Sequence, residues 1–216
     1  LICDPGNPLG QKYDDERLLA LLGKLNDAGV AVLFDSPYRR VFRDRTDTLY
    51  RRILPMENVV IVESFSKSMG LSGQRIGFIR TASRELYEEL EKRAMYTNNG
   101  VNAFAQTLVL RLLTTEAGRR AVSCFKEATA RDIARNIAYL ERRGLLAGEF
   151  YGESVPEGIF AIVGRTESQL LEHRIGSVSL DFFTRDESLA AYASRFSRIC
   201  VSVPHAKFTE FFDRVP

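Results

Sequence analysis

Three residues whose side chains can do chemistry fall where strand-like segments end. Asn7 lies in the turn-rich Pro5-Gly6-Asn7-Pro8-Leu9-Gly10 that follows the opening segment of residues 1–3. Asp35 closes the apolar run Val30-Ala31-Val32-Leu33-Phe34, and Lys67 follows Val59-Val60-Ile61-Val62 within Ser64-Phe65-Ser66-Lys67-Ser68-Met69-Gly70. In an open parallel α/β sheet, ligands bind beyond the carboxyl ends of the strands, where loops converge and helix N-termini direct amides at anions. The pattern predicts an amide, a carboxylate and an amine facing one crevice, with Arg75 eight residues after the lysine. Singly, each has an ordinary explanation. A lysine in a Gly/Ser-rich loop is usually solvated, Asp35 can cap a turn, Tyr38 can be an amphipathic rim residue, and Asn7 suits a turn through local hydrogen bonds. Only the grouping argues for chemistry.

Four segments, in order, resemble motifs of the class I/II aminotransferases, enzymes of fold type I. Asn7-Pro8-Leu9-Gly10 is similar to their Asn-Pro-x-Gly, and Asp35-Ser36-Pro37-Tyr38 to their Asp-x-x-Tyr. Ser64-Phe65-Ser66-Lys67 resembles Ser-x-Ser-Lys, and Ser72-Gly73-Gln74-Arg75-Ile76-Gly77 resembles the segment ending in Arg-x-Gly. The separations, 28 positions from Asn7 to Asp35 and eight from Lys67 to Arg75, also match. The resemblance implies a three-layer α/β fold with a mostly parallel sheet. Residues 1–117 would be the later part of the large cofactor domain, and residues 118–216 a linking helix with a small C-terminal α/β domain. It further implies pyridoxal 5'-phosphate as cofactor, transamination between an amino acid and a 2-oxo acid, and a homodimer.

Within that resemblance, Lys67 is the Schiff-base lysine and the carrier of a proton between the substrate Cα and the cofactor C4′. Asp35 faces the pyridine nitrogen and keeps it protonated, so that the ring can accept electron density. Tyr38 and Asn7 donate hydrogen bonds to O3′, while Arg75, Ser64 and Ser66 hold the phosphate. Gly70, Gly73 and Gly77 serve backbone geometry. In the family an arginine near the C-terminus, a short distance after Pro-Gly-x-x-Phe, pairs with the substrate carboxylate. Val203-Pro204-His205-Ala206-Lys207-Phe208 resembles that segment with His205 in place of Gly, which makes Arg214, with Asn7, a candidate for substrate binding unless that arginine lies beyond Pro216. The family's ring-stacking aromatic and glycine-containing phosphate turn lie upstream of Asn7, and both ends of the chain read as cut. Tyr96-Thr97-Asn98-Asn99-Gly100 falls where relatives approach a partner subunit's site. The same cofactor-side residues serve C–S lyases and related elimination enzymes. They also occur in aminotransferase-like effector domains of transcription regulators.

The elements that must position these residues read as follows. A helix starts at Asp14-Asp15, carries Leu18, Leu19, Leu21, Leu22 and Leu25, and ends near Gly29. With the strand before it and the run ending at Phe34, it forms a βαβ unit. The continuous apolar run is of the kind a strand covered on both faces shows. Residues 38–55 read as a polar, basic loop with a short helix, followed by strands at 59–62 and 76–79. Helices are expected at 83–96, 102–113 and 115–146, the last long enough to link two domains. Strand-like runs follow at 159–163, 177–183 and 200–203, separated by helical patterns at 167–173 and 187–196.

Composition narrows the partners. The 216 residues are 45% hydrophobic and 27% charged, with 30 Lys plus Arg against 28 Asp plus Glu, and the net charge of +2 gives no reason to expect nucleic acid or an anionic membrane. No apolar run approaches a bilayer span, and no signal-like segment opens the chain. Cys3, Cys124 and Cys200 form no CxxC pair and have only His173 and His205 as histidine co-ligands, which suggests neither a disulfide framework nor a metal site and fits a reducing cytoplasm. A Walker-type GxxxxGK[ST] spacing is absent.

Overall fold

The protein is described from a computed structural model covering residues 1–42, 47–152 and 154–216, and the chain divides into two compact units. The first holds residues 1–4 and 13–126, the second residues 5–12 and 127–216. Residues 43–46 of the polar segment lie outside the described residues.

The first unit is built on a four-stranded sheet in the order β1 (Ile2–Cys3), β2 (Val32–Asp35), β3 (Val59–Ser64) and β4 (Gly77–Thr81). The first three strands run parallel and β4 is antiparallel to β3. Register pairs Cys3 with Asp35 and Asp35 with Val62, so the carboxyl ends of three strands fall at one sheet edge. Parallel neighbours need crossovers. Helix α1 (Asp15–Asp27) supplies one; α2 (Arg39–Phe42) and α3 (Thr48–Ile53) lie in the other. Helix α1 starts where the Asp14 side chain accepts from the Arg17 N–H, and the chain turns away at Gly29 with φ +64. Leu18 and Leu22, one turn apart, pack with Leu49 and Ile53 of α3 onto Val32, Phe34, Val59 and Ile61. The apolar run ending at Phe34 predicts burial on both faces, but burial alternates. Val32 and Phe34 are buried while Leu33 is 43% exposed, because α1 and α3 both pack on the Phe34 face.

A buried charge cluster closes this unit. Arg39 donates through Nη1 to Asp4 Oδ2 at 2.6 Å, through Nη2 to Asp15 Oδ1 at 2.9 Å, and through Nε and Nη2 to Asp47 at 2.6 and 3.0 Å. Asp4 also accepts from the Tyr13 N–H at 2.9 Å. Burial opposes the charge of Arg39, yet the hydrogen bonds and charges of Asp47 and Asp15 hold its pKa above the ordinary arginine value.

Beyond β3, α4 (Phe65–Ser68) carries Lys67, and a Gly-rich turn leads into β4. Helix α5 (Arg84–Asn98) buries no residue, while α6 (Ala103–Thr114) packs Ala105 and Val109 with Ile76, Phe65 and Leu71. The long helix α7 (Glu116–Arg142) is continuous, and the division between units falls within it, between Lys126 and Glu127.

The second unit has a three-stranded antiparallel sheet in which β7 (Ser197–Cys200) lies between β5 (Phe160–Val163) and β6 (Val178–Ser179), with α8 (Glu167–Glu172), α9 (Glu187–Ala193) and α10 (His205–Phe212). Ala147, Tyr151, Ile162, Leu180, Ala193 and Phe196 form a core, joined by Leu9 from the 5–12 segment. Two expected strands differ. The run 177–183 yields only β6 before a 3-10 turn at Leu180–Phe183. The last strand falls at Ser197–Cys200 instead of 200–203, because buried Asn136 donates its amide to the Val201 and Val203 carbonyls at 3.0 and 2.7 Å and so takes acceptors a longer strand would use.

Removing the guanidinium leaves three carboxylates without their cation, a loss typically worth about 3–5 kcal/mol. Arg39→Ala is therefore expected to lower the thermal unfolding midpoint far more than Arg52→Ala, whose pair with Glu16 is exposed. Equal midpoints for the two variants, read by circular dichroism, would contradict this view of the cluster.

Candidate active site

In the first unit, Asp35 and Lys67 follow from adjacent parallel strands. Asp35 is the last residue of β2, half-buried, and desolvation raises its pKa above the ordinary aspartate value. The backbone then turns through Ser36, whose N–H donates to the Val62 carbonyl at 3.0 Å, and half-buried Tyr38 precedes α2.

Strand β3 ends at Ser64, which caps α4. Its Oγ accepts from the Ser66 N–H at 3.1 Å, a role that uses a lone pair and leaves the hydroxyl proton to donate elsewhere. Lys67 and Ser66 are half-buried on this single turn, so the amine is partly shielded from water while its chain direction is set by β3. Arg75 follows in the left-handed region at φ 51, an uncommon conformation for a side-chain-bearing residue, and its Nη1 donates to the Ser72 carbonyl at 3.1 Å. Gly77 then allows β4 to close on β3, since a Cβ there would meet the Glu63 carbonyl oxygen at 2.3 Å. Asp35, Tyr38, Ser64, Ser66, Lys67 and Arg75 thus all belong to the first unit. Together they provide a carboxylate, a phenol, two hydroxyls, an amine and a guanidinium.

Asn7 belongs to the second unit. Its loop is fixed by Tyr151, whose hydroxyl donates to the Leu9 carbonyl at 2.9 Å, and by Gln11, whose amide donates to the Phe150 carbonyl at 2.7 Å. Burial pushes the Tyr151 pKa up to about 12, so it stays a donor across the physiological range. Gly10, at φ +72, lies so close to β5 that a Cβ would meet the Phe160 carbonyl oxygen at 2.1 Å. The glycine of Asn7-Pro8-Leu9-Gly10 is therefore a packing requirement.

An arginine outside the expected set completes this region. Arg198 on β7 donates from Nη1 to Asn7 Oδ1 at 2.8 Å, and its guanidinium lies 4.3 Å from the Phe160 ring centroid and 4.9 Å from that of Phe183. Two aromatic faces and an amide fix a planar fork suited to a carboxylate. Its sequence signal was available in Ser197-Arg198-Ile199-Cys200, where Ser197 and Ile199 are buried and Arg198 alternates to the other face. Arg214, the arginine suggested by the Pro204 segment, is exposed and lies beside Glu210 with N to O at 3.7 Å and over the Phe211 ring.

Among the described residues, no group of three or more His, Cys, Asp or Glu side chains is arranged to hold a metal, and no helix is long and apolar enough to cross a membrane. A mostly parallel sheet followed by a separate unit with an antiparallel sheet is the fold of the fold-type I class. The sequence profile of the family described as aminotransferase class I and II matches residues 1–215, and the chain belongs to that family. Aspartate aminotransferase of Pyrococcus horikoshii is 28% identical over 124 residues, covering 57% of this chain and 31% of that protein. Aromatic amino acid aminotransferase of Corynebacterium diphtheriae is 36% identical over 107 residues, covering 49% and 30%. A Thermus thermophilus aspartate aminotransferase mutant superposes with a TM-score of 0.75 at 21% identity, covering all of this chain and 59% of that one. The chain thus spans less than two thirds of the relatives it matches.

The raised carboxyls at Asp35 and Glu63 give a pH signature. Burial raises both, so between the ordinary carboxylate range and the raised values the folded chain holds protons that the unfolded chain has released. Stability contributed by these sites falls as pH rises through that window. Urea unfolding from pH 4 upward is expected to show Glu63→Gln gaining on the wild type as pH rises. A difference between them that is independent of pH would refute the assignment.

Proposed function

We propose that the complete protein is a pyridoxal 5'-phosphate-dependent aminotransferase that moves an amino group from an amino acid to a 2-oxo acid. The observation that carries this reading is the placement of Asp35 and Lys67 just at and beyond the carboxyl ends of adjacent parallel strands. The donor set fits the cofactor of the family: an amine for its aldehyde, a carboxylate for its ring nitrogen, a phenol for its ring oxygen, and hydroxyls with a guanidinium for its phosphate. Family membership adds independent support, because class I and II aminotransferases depend on this cofactor.

When bound, the cofactor supplies an electron sink for the charge left on the substrate Cα as its proton departs. The protein's part is to hold and to move protons. Asp35, partly desolvated, gains from a cationic partner and so would keep the pyridine nitrogen protonated. The Lys67 amine takes the proton from Cα and returns it at the cofactor's C4′ position. Tyr38 donates to the ring oxygen, and Asn7 is assigned to that oxygen and to substrate by the family resemblance. Ser64, Ser66 and Arg75 anchor the phosphate. Arg198, held by Asn7 and by the rings of Phe160 and Phe183, is the carboxylate-binding arginine in this reading, in preference to Arg214. The reading includes a homodimer and a reducing cytoplasm, the latter in keeping with the absence of any disulfide among the described cysteines Cys3, Cys124 and Cys200.

The test is a panel of amino acids offered to the full-length protein with a 2-oxo acid acceptor. The expected product is the matching 2-oxo acid with stoichiometric amination of the acceptor; pyruvate and ammonia from a cysteine conjugate would point instead to elimination. Arg198→Ala is expected to lower kcat/KM by about 100-fold, mainly through KM, as loss of a charge-assisted contact implies. Arg214→Ala should stay within about twofold, as an exposed substitution does. The reverse order would reassign the carboxylate contact.

A further inference from the structure

Tyr50 of α3 is half-buried and lies outside every motif considered above. Its ring packs edge-on to Phe34 of β2 at 6.3 Å, and the Arg39 guanidinium lies 5.8 Å from its centroid. Its hydroxyl is 2.5 Å from Ser36 Oγ, and a second side-chain hydrogen bond links it to Glu63. Ser36 and Glu63 are both buried, at 0% and 5% exposure, so neither can exchange this partner for bulk water. Ser36 is bonded directly to Asp35. Glu63 is next to Ser64, the cap of the turn that carries Lys67.

We propose that Tyr50 is a positioning residue whose hydroxyl ties the Asp35 segment to the Lys67 segment through Ser36 and Glu63. The inference rests on the proposed roles of Asp35 and Lys67. A tyrosine hydroxyl has one proton, and ionised Glu63 can only accept, so Tyr50 donates to Glu63 and Ser36 donates to Tyr50. The directional chain runs from the β2 loop through α3 to the end of β3. The charged groups around it are fixed: Arg40, whose Nε lies 3.8 Å from Glu63, with Asp47 and Lys126 also acting on Glu63, and Arg39 on Tyr50. Burial and the neighbouring Glu63 keep the Tyr50 phenol protonated well beyond the physiological range, so the chain of donors is maintained at working pH. Among the described residues, the backbone register is what ties Asp35 itself to β3. Its side-chain position therefore depends on where Ser36 is held.

A purely structural role is separable from this one. In the full-length protein, Tyr50→Phe and Ser36→Ala each break the link, whereas Ile53→Val loosens the same apolar cluster without touching it. Two quantities are measured: the dissociation constant for pyridoxal phosphate, and the pH midpoint of the bound cofactor's visible absorbance, which follows the proton on the nitrogen joined to Lys67 and rises when Asp35 holds the ring-nitrogen proton less firmly, because a neutral ring no longer repels it. Both bridge variants are expected to weaken binding by about tenfold, the size of one buried hydrogen bond to a charged chain, and to shift the midpoint upward. Ile53→Val should leave the midpoint unchanged. If Tyr50→Phe does not fold, Ser36→Ala decides alone. An unmoved midpoint in the bridge variants overturns the proposal, as does an equal shift in Ile53→Val. A wild-type protein that binds no pyridoxal phosphate overturns both this proposal and the function it rests on, whereas normal wild-type binding with unaffected bridge variants overturns this proposal alone.

Discussion

One buried guanidinium organises the loops around Asp35 and Tyr38, two of the residues proposed to hold the cofactor. Arg39 makes four hydrogen bonds to Asp4, Asp15 and Asp47, and these carboxylates come from the end of β1, the first turn of α1 and the cap of α3. A charge at 1% exposure is tolerated only when it is fully paired, so the three segments are forced to converge on it. Arg39 itself follows Tyr38 without an intervening residue. The positions of Asp35 and Tyr38 are therefore set by an ion cluster as well as by β2. The apolar cluster around Phe34 and Ile61 supplies the drive to collapse, and the ion cluster supplies direction, since guanidinium bonds have a fixed planar geometry.

The second unit solves a parallel problem with different chemistry. Arg198 lies over two aromatic faces and donates to the Asn7 amide oxygen. Arg39, by contrast, is paired with three acids and serves to hold the fold of the first unit together.

The residues proposed to hold the cofactor could be picked out in the sequence because each belongs to a short local pattern: a strand end, a Gly-rich turn, a fixed spacing from Lys67 to Arg75. The βαβ unit, the cap at Asp14 and the long α7 were legible for the same reason, since local periodicity and capping decide them. Arg198 had only the alternation of Ser197-Arg198-Ile199 as a local signal, since its contacts with Asn7, Phe160 and Phe183 are encoded in no local pattern and the apolar run 200–203 places the expected strand three residues too late. The side-chain amide of Asn136, far off in α7, sets that boundary. The Arg39 cluster was equally hidden, as its partners are scattered from Asp4 to Asp47. Glu63 carries a local signal of its own: it is a charged residue at the end of an apolar strand, and a buried carboxylate there must find a donor.

The most direct test of the account is chemical. Full-length protein is incubated with pyridoxal phosphate, reduced with borohydride and digested, and the modified peptide is identified by mass. The account predicts a single cofactor adduct, on Lys67 of the Ser64–Gly70 segment. An adduct on another lysine, or none on a folded protein, would contradict it.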